Sequence, residues 1–165
     1  MPHDHPNRAA YLSNLGNILG QQYTRTGKIK DIKEAIQVTQ QAVEITPHSH
    51  PRRSGRLNNL GNRLESWYEQ TGDITILEEA IRVAKEGFDL TPYGHPERII
   101  SLSNIGNKLE SLYIRTGEIG NLEEAINMAR QAVELTRDDD PDRAVWLNNL
   151  GNQDHSSVLA GWQHG

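Results

Sequence analysis

The sequence predicts an all-α fold, an α-solenoid in which antiparallel helix pairs stack one on the next. A six-residue pattern recurs four times with its starts 45 residues apart, and a fixed period of this length is typical of helical repeat arrays. Apolar residues recur at helical spacing around the pattern, and proline and Thr-Gly signals flank each helical segment at the same period. The four copies are LSNLGN (12–17), LNNLGN (57–62), LSNIGN (102–107) and LNNLGN (147–152).

The period divides the chain into repeats that each hold one helix pair. Residues 1–7 form an N-terminal segment, residues 8–52, 53–97 and 98–142 form three repeats, residues 143–152 begin a truncated fourth, and residues 153–165 form a divergent tail. Because the pattern stops after Asn152, we expect the chain to be a piece of a longer array. Otherwise an apolar edge near Trp146, Leu147 and Leu150 would be exposed for self-association.

The first helix of each pair is predicted to begin after a proline and to end at Thr-Gly, where glycine takes the left-handed conformation. In repeat one its buried side is expected to include Leu12, Leu15 and Leu19. A glycine inside a helix costs roughly 1 kcal/mol relative to alanine. We expect packing to offset this cost, because small residues that face each other let two backbones approach closely. The predicted facing sets are Gly16, Gly61 and Gly106 on the first helices and Ala35, Ala80 and Ala125 on the second.

The second helix of each pair is predicted to begin with a capping box and to stop just before the next repeat. The capping boxes are Asp31 with Glu34, Thr75 with Glu78, and Asn121 with Glu124, and the stops lie near Thr46-Pro47, Thr91-Pro92 and Thr136-Arg137. An arginine then opens each new repeat, at a helix start where the helix dipole disfavours a cation. We predict a stabilising ion pair at each joint with the acidic residue nine positions earlier. These pairs are Arg53 with Glu44, Arg98 with Asp89, and Arg143 with Glu134.

Composition excludes several classes of function. The chain has 17 basic and 22 acidic side chains and a formal charge of −5, which argues against nucleic acid or an anionic membrane as the main partner. It has no cysteine, hence no disulfide framework and no thiolate chemistry. No apolar run approaches the ~20 residues that span a bilayer, and the first ten residues lack the apolar run of a signal peptide. We expect a soluble, cytoplasmic protein.

Residues for catalysis or metal binding are sparse, and we expect neither an enzyme nor a cofactor. No glycine-rich loop follows a strand, and no serine sits in a strand-to-helix nucleophile turn. Histidines precede the prolines between repeats, at His5, His50 and His95, with His3 and His48 nearby. Equivalent loops of stacked repeats lie roughly 10 Å apart, so these residues cannot share one metal ion. They are interpreted as turn residues.

The pattern resembles the tetratricopeptide repeat family of helical hairpins. In repeat one the matching residues are Leu15-Gly16, the small residues Ala35 and Ala42, and Pro47. The long unit, with its Asn-Leu-Gly and Leu-Glu-Glu-Ala-Ile segments, is similar to repeats of kinesin light chains and of arrays in fungal and bacterial proteins that carry a CHAT-type protease or nucleotide-binding switch domain. The resemblance covers about residues 5 to 152. It implies a solenoid that binds peptides or proteins on its concave surface and has no chemistry of its own.

The asparagines of the pattern are the candidate binding residues. One series is expected opposite the buried side of each first helix, together with a polar residue one turn earlier. Because an amide both donates and accepts, such a ladder can pair with the backbone of an extended peptide whatever its sequence. The resemblance implies that related proteins use asparagines at these positions to bind the backbone of a peptide. The predicted peptide-binding residues are Asn17, Asn62, Asn107 and Asn152, with Ser13, Asn58, Ser103 and Asn148.

A structural reading of the asparagines stays open beside the binding reading. Asparagines at the joints between repeats satisfy buried polar groups, and this role is preferred for Asn14, Asn59, Asn104 and Asn149. Few cations are expected beside the Asn17 series, so the groove suits a neutral or basic segment. The sequence therefore predicts a protein or peptide interaction module. The alternatives are a structural or oligomerising spacer without a groove ligand and, more weakly, an enzyme.

Overall fold

A computed structural model gives the fold and describes residues 7–145 and 147–152. Its helices are α1 (Arg8–Thr26), α2 (Ile29–Glu44), α3 (Arg53–Thr71), α4 (Ile74–Asp89), α5 (Glu97–Thr116) and α6 (Ile119–Leu135). Residues 143–145 and 147–152 are also helical, and the described ranges contain no strand. The predicted all-α fold of helix pairs is confirmed. The predictions for His3, His5, Trp146 and the tail at 153–165 fall outside the described residues.

The chain divides into two compact units, one ending at Leu90 and the other beginning at Thr91. In the first unit α1 packs against α2 and α3 against α4, and the two hairpins stack through α2 and α3. In the second unit α5 packs against α6. Leu150 of the fourth repeat packs against Leu122 and Ile126 of α6, so it is not part of an exposed edge as predicted, whereas Leu147 is 46% exposed.

The predicted Thr-Gly helix ends are confirmed in all three repeats. Gly27, Gly72 and Gly117 have φ of 65°, 67° and 72°, the left-handed conformation that side chains with a Cβ disfavour. Each glycine N–H donates to a carbonyl four residues earlier, over 2.7 Å in every case. The chain reverses within two residues, and the second helix of the pair begins at once.

That sharp reversal makes the predicted capping boxes wrong. The second helices begin at Ile29, Ile74 and Ile119, earlier than the capping signals place them. Asp31 therefore lies inside the first turn of α2, where it is buried and accepts a hydrogen bond from Thr26 Oγ1 at 3.3 Å. Among helices α1 to α6, an N-cap side chain accepts from a backbone N–H of its own helix in α4 alone, where Asp73 accepts from the Thr75 N–H at 3.0 Å.

The close approach of the two helices in a pair is confirmed in repeats one and two. A Cβ added to Gly61 would lie 3.2 Å from the Ala80 carbonyl oxygen, and one added to Gly16 would overlap Thr39 Oγ1. Ala35 and Ala80 are completely buried. The glycines are therefore required by packing, which offsets their poor helix propensity.

Leu15 is a second correction, because it is 41% exposed although it was predicted to be buried with Leu12 and Leu19. Leu19 is buried and Leu12 packs against it, in a cluster with Ala35 and Val38 of α2. The equivalent of Leu15 in repeat two is Leu60, which packs with Val43 of α2 and Val83 of α4. Contact with the preceding repeat therefore adds to that of the hairpin itself in burying this position.

The arginine at each joint bonds carbonyl groups at the end of the preceding second helix. Arg53, Arg98 and Arg143 donate from NH1 to the carbonyls of Thr46, Thr91 and Thr136, over 2.6, 2.6 and 2.7 Å. Those carbonyls lack intrahelical partners and so need donors. The predicted carboxylate partners are wrong for Arg53 and Arg143, which pair with Glu86 and Asp138 instead. The stabilising joint is chiefly a charged cap on a helix end.

Candidate functional site

The predicted asparagine series lies on the surface of the first helices. Asn17, Asn62, Asn107 and Asn152 are all exposed, although the neighbouring glycine of the pattern is buried in repeats one to three. The companion positions differ, because Ser13, Asn58 and Ser103 are half-buried and Asn148 is exposed. The 45-residue period thus places four equivalent amides in contact with solvent.

Within the first unit, Asn17 is brought together with Asn59 and Arg63 of α3. The Asn17 Oδ1 accepts from Arg63 NH2 at 2.7 Å and from Asn59 Nδ2 at 3.5 Å. Arg63 also donates from Nε to the Gly16 carbonyl at 3.2 Å and from NH1 to the Asn59 carbonyl at 2.7 Å. One guanidinium therefore joins α1 to α3 and fixes the orientation of the Asn17 amide.

The companion polar residues serve contacts inside the protein. Ser13 Oγ accepts from Arg56 Nε at 3.0 Å, and Arg56 also donates to Thr46 Oγ1. Asn58 turns towards its own hairpin, since its Oδ1 lies where a Cβ on Gly87 of α4 would be only 2.8 Å away. Ser13 and Asn58 therefore contribute more to contacts between the helices of the first unit than to an open surface.

The second asparagine series bridges neighbouring repeats. Asn59 reaches Asn17, and in the second unit Asn149 Nδ2 donates to Ser103 Oγ at 3.2 Å. Asn14 is exposed, as expected for a first helix with no preceding repeat among the described residues. These contacts support the joint role that was preferred for this series, although they join side chains and not backbone groups.

Sequence reasoning missed the arginines of α3, and the expectation of few cations beside Asn17 is wrong. Arg56 and Arg63 are only 7% and 9% exposed, yet both reach α1. The sequence does indicate a basic position in the repeat, because Lys108 stands one period after Arg63 and is also buried. The signal is broken in repeat one, where Ile18 stands at the equivalent position.

Burial changes the electrostatics of both arginines without removing their charge. Desolvation lowers the pKa of Arg63, and desolvation together with the charge of Arg52 lowers the pKa of Arg56. Guanidinium groups nevertheless stay protonated in proteins, so both remain cations at neutral pH. Arg63 holds its charge against neutral acceptors, namely two carbonyls and one amide.

The histidines between repeats act in turns. His50 Nδ1 accepts from the Arg52 N–H at 3.1 Å, and His95 Nδ1 accepts from the Glu97 N–H at 3.2 Å. Each bond stabilises the turn that leads into the next first helix. Within the part of the chain that the structure describes, no three His, Cys, Asp or Glu side chains cluster as metal ligands would. In the same ranges, no helix combines the length and apolar character needed to cross a membrane.

Comparison with known proteins places the fold among helical repeat proteins. Nearly identical TPR-like repeats from Podosopora anserina, named after kinesin light chain, share 19% identity with a TM-score of 0.63, covering 97% of this chain and 74% of that one. A single-substitution variant of them gives 19% identity and 0.64, covering 96% and 75%. A de novo designed helical repeat protein gives 18% identity and 0.52, covering 93% and 78%.

The first repeat matches a known family of helical repeats. Residues 8–52 match the model of the tetratricopeptide repeat family, and the 45-residue period extends the same pattern along the chain. No curated protein matches the chain. The predicted resemblance to tetratricopeptide repeats is therefore confirmed for residues 8–52, and the structural matches show the helical repeat fold.

Proposed function

We propose that the chain is a protein-interaction module that binds an extended peptide segment along the exposed asparagines of its first helices. The observation that carries the proposal is the exposure of the same amide once in every repeat, at Asn17, Asn62, Asn107 and Asn152. A tetratricopeptide fold supports an interaction or scaffold role in general. Because the amides recur with the repeat, they suit a ligand that itself has a regular backbone.

Asn17 illustrates the hydrogen bond that such an amide would offer to a bound peptide. Its Oδ1 is held by Arg63 at 2.7 Å, so its Nδ2 points away from that guanidinium. Among the described residues Nδ2 has no hydrogen-bond partner, and it is therefore free to donate to a peptide carbonyl. The donor is held in place before the ligand arrives, which lowers the entropy lost on binding.

The charge near Asn17 modifies the expected ligand. Arg63 lies beside this amide with a positive charge that only neutral groups contact in the hydrogen bonds described above. A lysine or arginine of the ligand would be repelled at this point. The ligand proposed is therefore a neutral segment at the Asn17 position, and the preference for a basic segment is dropped there.

The test compares capture from a cell extract by the wild-type chain and by an Asn17/Asn62/Asn107→Ala variant. Captured proteins are identified by mass spectrometry, and synthetic peptides from them are titrated against both chains. We expect the variant to bind at least about tenfold more weakly, since three backbone hydrogen bonds worth about 0.5–1.5 kcal/mol each are removed. Equal binding by both chains would favour the structural or oligomerising spacer instead.

Two control variants separate binding from stability. Gln37/Gln40/Asn127→Ala removes three exposed amides from the second helices and should leave peptide binding unchanged. Asn17→Asp keeps the acceptor for Arg63 but removes the Nδ2 donor, so it should bind peptide as weakly as Asn17→Ala while retaining the wild-type melting temperature. If Asn17→Asp binds like wild type, the proposed donor role of Asn17 is wrong.

A further inference from the structure

The first unit contains a pocket lined by residues of α2, α3 and α4, and we name it the α2–α4 pocket. Both second helices pack against α3. The pocket has a volume of about 310 Å³, near the lower limit for sites that hold small molecules. Its lining residues all belong to two repeats that the structure describes, so it is not a face left open by the start of the sequence. The apolar part of the lining is Val43, Leu57, Leu60, Leu64 and Val83.

The charged side chains that α3 and α4 contribute to the pocket neutralise one another. Glu86 accepts from Arg53 NH2 at 3.2 Å and from Arg82 NH1 at 3.4 Å. Arg82 also donates to both carboxylate oxygens of Glu79, over 2.7 and 2.8 Å. Two guanidinium groups thus alternate with two carboxylates, and this network carries no net charge.

One further carboxylate lines the pocket, that of Glu44 at the end of α2. Its side chain is exposed to solvent, and among the described residues it has no hydrogen-bond or ion-pair partner. The lining of the α2–α4 pocket therefore has an excess of one negative charge. This charge lies at the edge of an apolar surface, which is the arrangement that a cation with an apolar body requires.

The equivalent sequence positions one period later lack this excess charge. Lys85 stands in the place of Gln40 and Asp89 in the place of Glu44, so a cation and an anion come four residues apart. That spacing brings two side chains of a helix together. The remaining charged residues at these positions are one arginine and one glutamate, so the total is zero. The excess negative charge is therefore specific to the joint between repeats one and two.

We propose that the α2–α4 pocket binds a small organic cation, in which an ammonium group is attached to an apolar body. The apolar body lies against the leucines of α3, and the ammonium group donates to the Glu44 carboxylate. Because Glu44 is exposed, the bound charge stays in contact with water and is not fully desolvated. An anion is repelled by the same carboxylate, and a neutral molecule leaves its charge unmatched.

The test uses n-hexylammonium as the probe, compared with n-hexanol and hexanoate, which carry a neutral or a negative group on a chain of similar length. Each is titrated into the isotopically labelled chain, and backbone amide chemical shifts are followed by NMR. Molecules with so few non-hydrogen atoms bind with Kd values in the millimolar range. We expect n-hexylammonium to cause saturable shifts at Val43, Leu57 and Val83. Hexanol should bind about threefold more weakly, as one partly exposed ion pair predicts, and hexanoate more weakly than hexanol.

Three variants test the role of the charge. Glu44→Gln should weaken n-hexylammonium binding about threefold and leave hexanol binding unchanged. Gln40→Lys copies the next joint and places an ammonium group four residues before Glu44, so it should weaken n-hexylammonium binding at least as much. Both positions are exposed, so neither change should disturb the fold. Glu34→Gln is the matched control, because it removes the same charge from α2 outside the pocket and should bind like wild type.

Several results would overturn the proposal. One is a set of shifts that does not saturate, or that is centred on Asn17 and Asn62 and not on the pocket. Another is equal binding of n-hexylammonium and hexanol, which indicates an apolar pocket without preference for charge. Wild-type affinity in Glu44→Gln would overturn it as well. None of the predicted peptide-binding residues lines the pocket, so this test and the capture experiment can each fail alone.

Discussion

The first helices of repeats one and two occupy equivalent places in their hairpins but have different surroundings. In α3 the positions facing the preceding repeat are Arg56, Leu60 and Arg63, all buried, and the arginines bond directly to groups of α1. In α1 the same positions carry apolar side chains exposed to solvent. The difference shows that the repeat period determines the backbone fold. The side chains on this face of a first helix depend instead on whether the face contacts another repeat. Equivalent positions in a repeat array therefore do not imply equivalent roles.

The largest expected effect tests what the two repeats share, the close approach of their helices. Gly61→Leu should lower the free energy of unfolding by about 3 kcal/mol, because even a Cβ there lies 3.2 Å from the Ala80 carbonyl and the added atoms would force the helices apart. Urea unfolding followed by circular dichroism measures it. Gly55→Ala is the matched control in the same helix, since a Cβ there meets nothing within 4 Å. It should stabilise by about 0.5–1 kcal/mol, and a loss as large as that of Gly61→Leu would contradict the packing argument.

The next effect tests the difference between the two repeats. Arg63→Ala should lower the free energy of unfolding by about 2–3 kcal/mol, because it removes a buried charged donor to two carbonyls and to Asn17. Ile18→Ala, at the equivalent position of α1, should change it by less than about 0.5 kcal/mol, because that side chain is 60% exposed. The same unfolding experiment measures both variants at one protein concentration. Similar values for the two variants would remove the distinction between α1 and α3.

The smallest expected effect is a pH dependence that arises from one ion pair of repeat two. Arg82 donates to both carboxylate oxygens of Glu79, over 2.7 and 2.8 Å, and this hydrogen bonding lowers the pKa of Glu79. A lowered pKa in the folded state means that the contribution is complete above the ordinary carboxyl pKa and is lost as the pH falls through the lowered value. Because both side chains are substantially exposed, Glu79→Gln should cost no more than about 0.5 kcal/mol at neutral pH and nothing in strong acid.

The control for that pair comes from repeat one. There the equivalents of Glu79 and Arg82 are Glu34 and Gln37, so no arginine is available three residues on. The acid-sensitive loss of stability expected for Glu79→Gln should therefore be missing in Glu34→Gln when thermal unfolding of the variants is compared with wild type. An equal pH dependence in both repeats would mean that the Glu79–Arg82 contact does not contribute to stability.

The fold was predictable because its main features depend on neighbouring residues. The left-handed glycine that ends each first helix and the small residues between paired helices both follow from local sterics, and both are confirmed. The capping-box spacing predicts second-helix starts that are too late, because the turn at Gly27 needs only two residues and the spacing of polar residues does not show this. Local sequence patterns thus predict the helices correctly, and the errors concern the residues where the helices begin.

The candidate site was predictable only in part, because its chemistry depends on contacts between repeats. The exposure of Asn17 follows from helical spacing, whereas its bond to Arg63 joins residues 46 positions apart. Ile18 in repeat one concealed the basic position that Arg63 and Lys108 share. The burial of Leu60 and the exposure of Leu15 cannot be distinguished from the pattern, since both leucines occupy the same place in it.

The arginine at each joint has a consequence for how such a chain can change length. Arg53 and Arg143 each donate a hydrogen bond to a carbonyl only seven residues earlier, that of Thr46 and that of Thr136, at the end of the preceding helix. Both partners lie beside the boundary, so a duplicated or deleted block of 45 residues recreates this arginine–carbonyl bond, whatever its place in the chain. Copy number can therefore vary by recombination without loss of this bond at the helix end. Selection is then left to act on the outward positions, which is where repeats one and two have diverged most visibly.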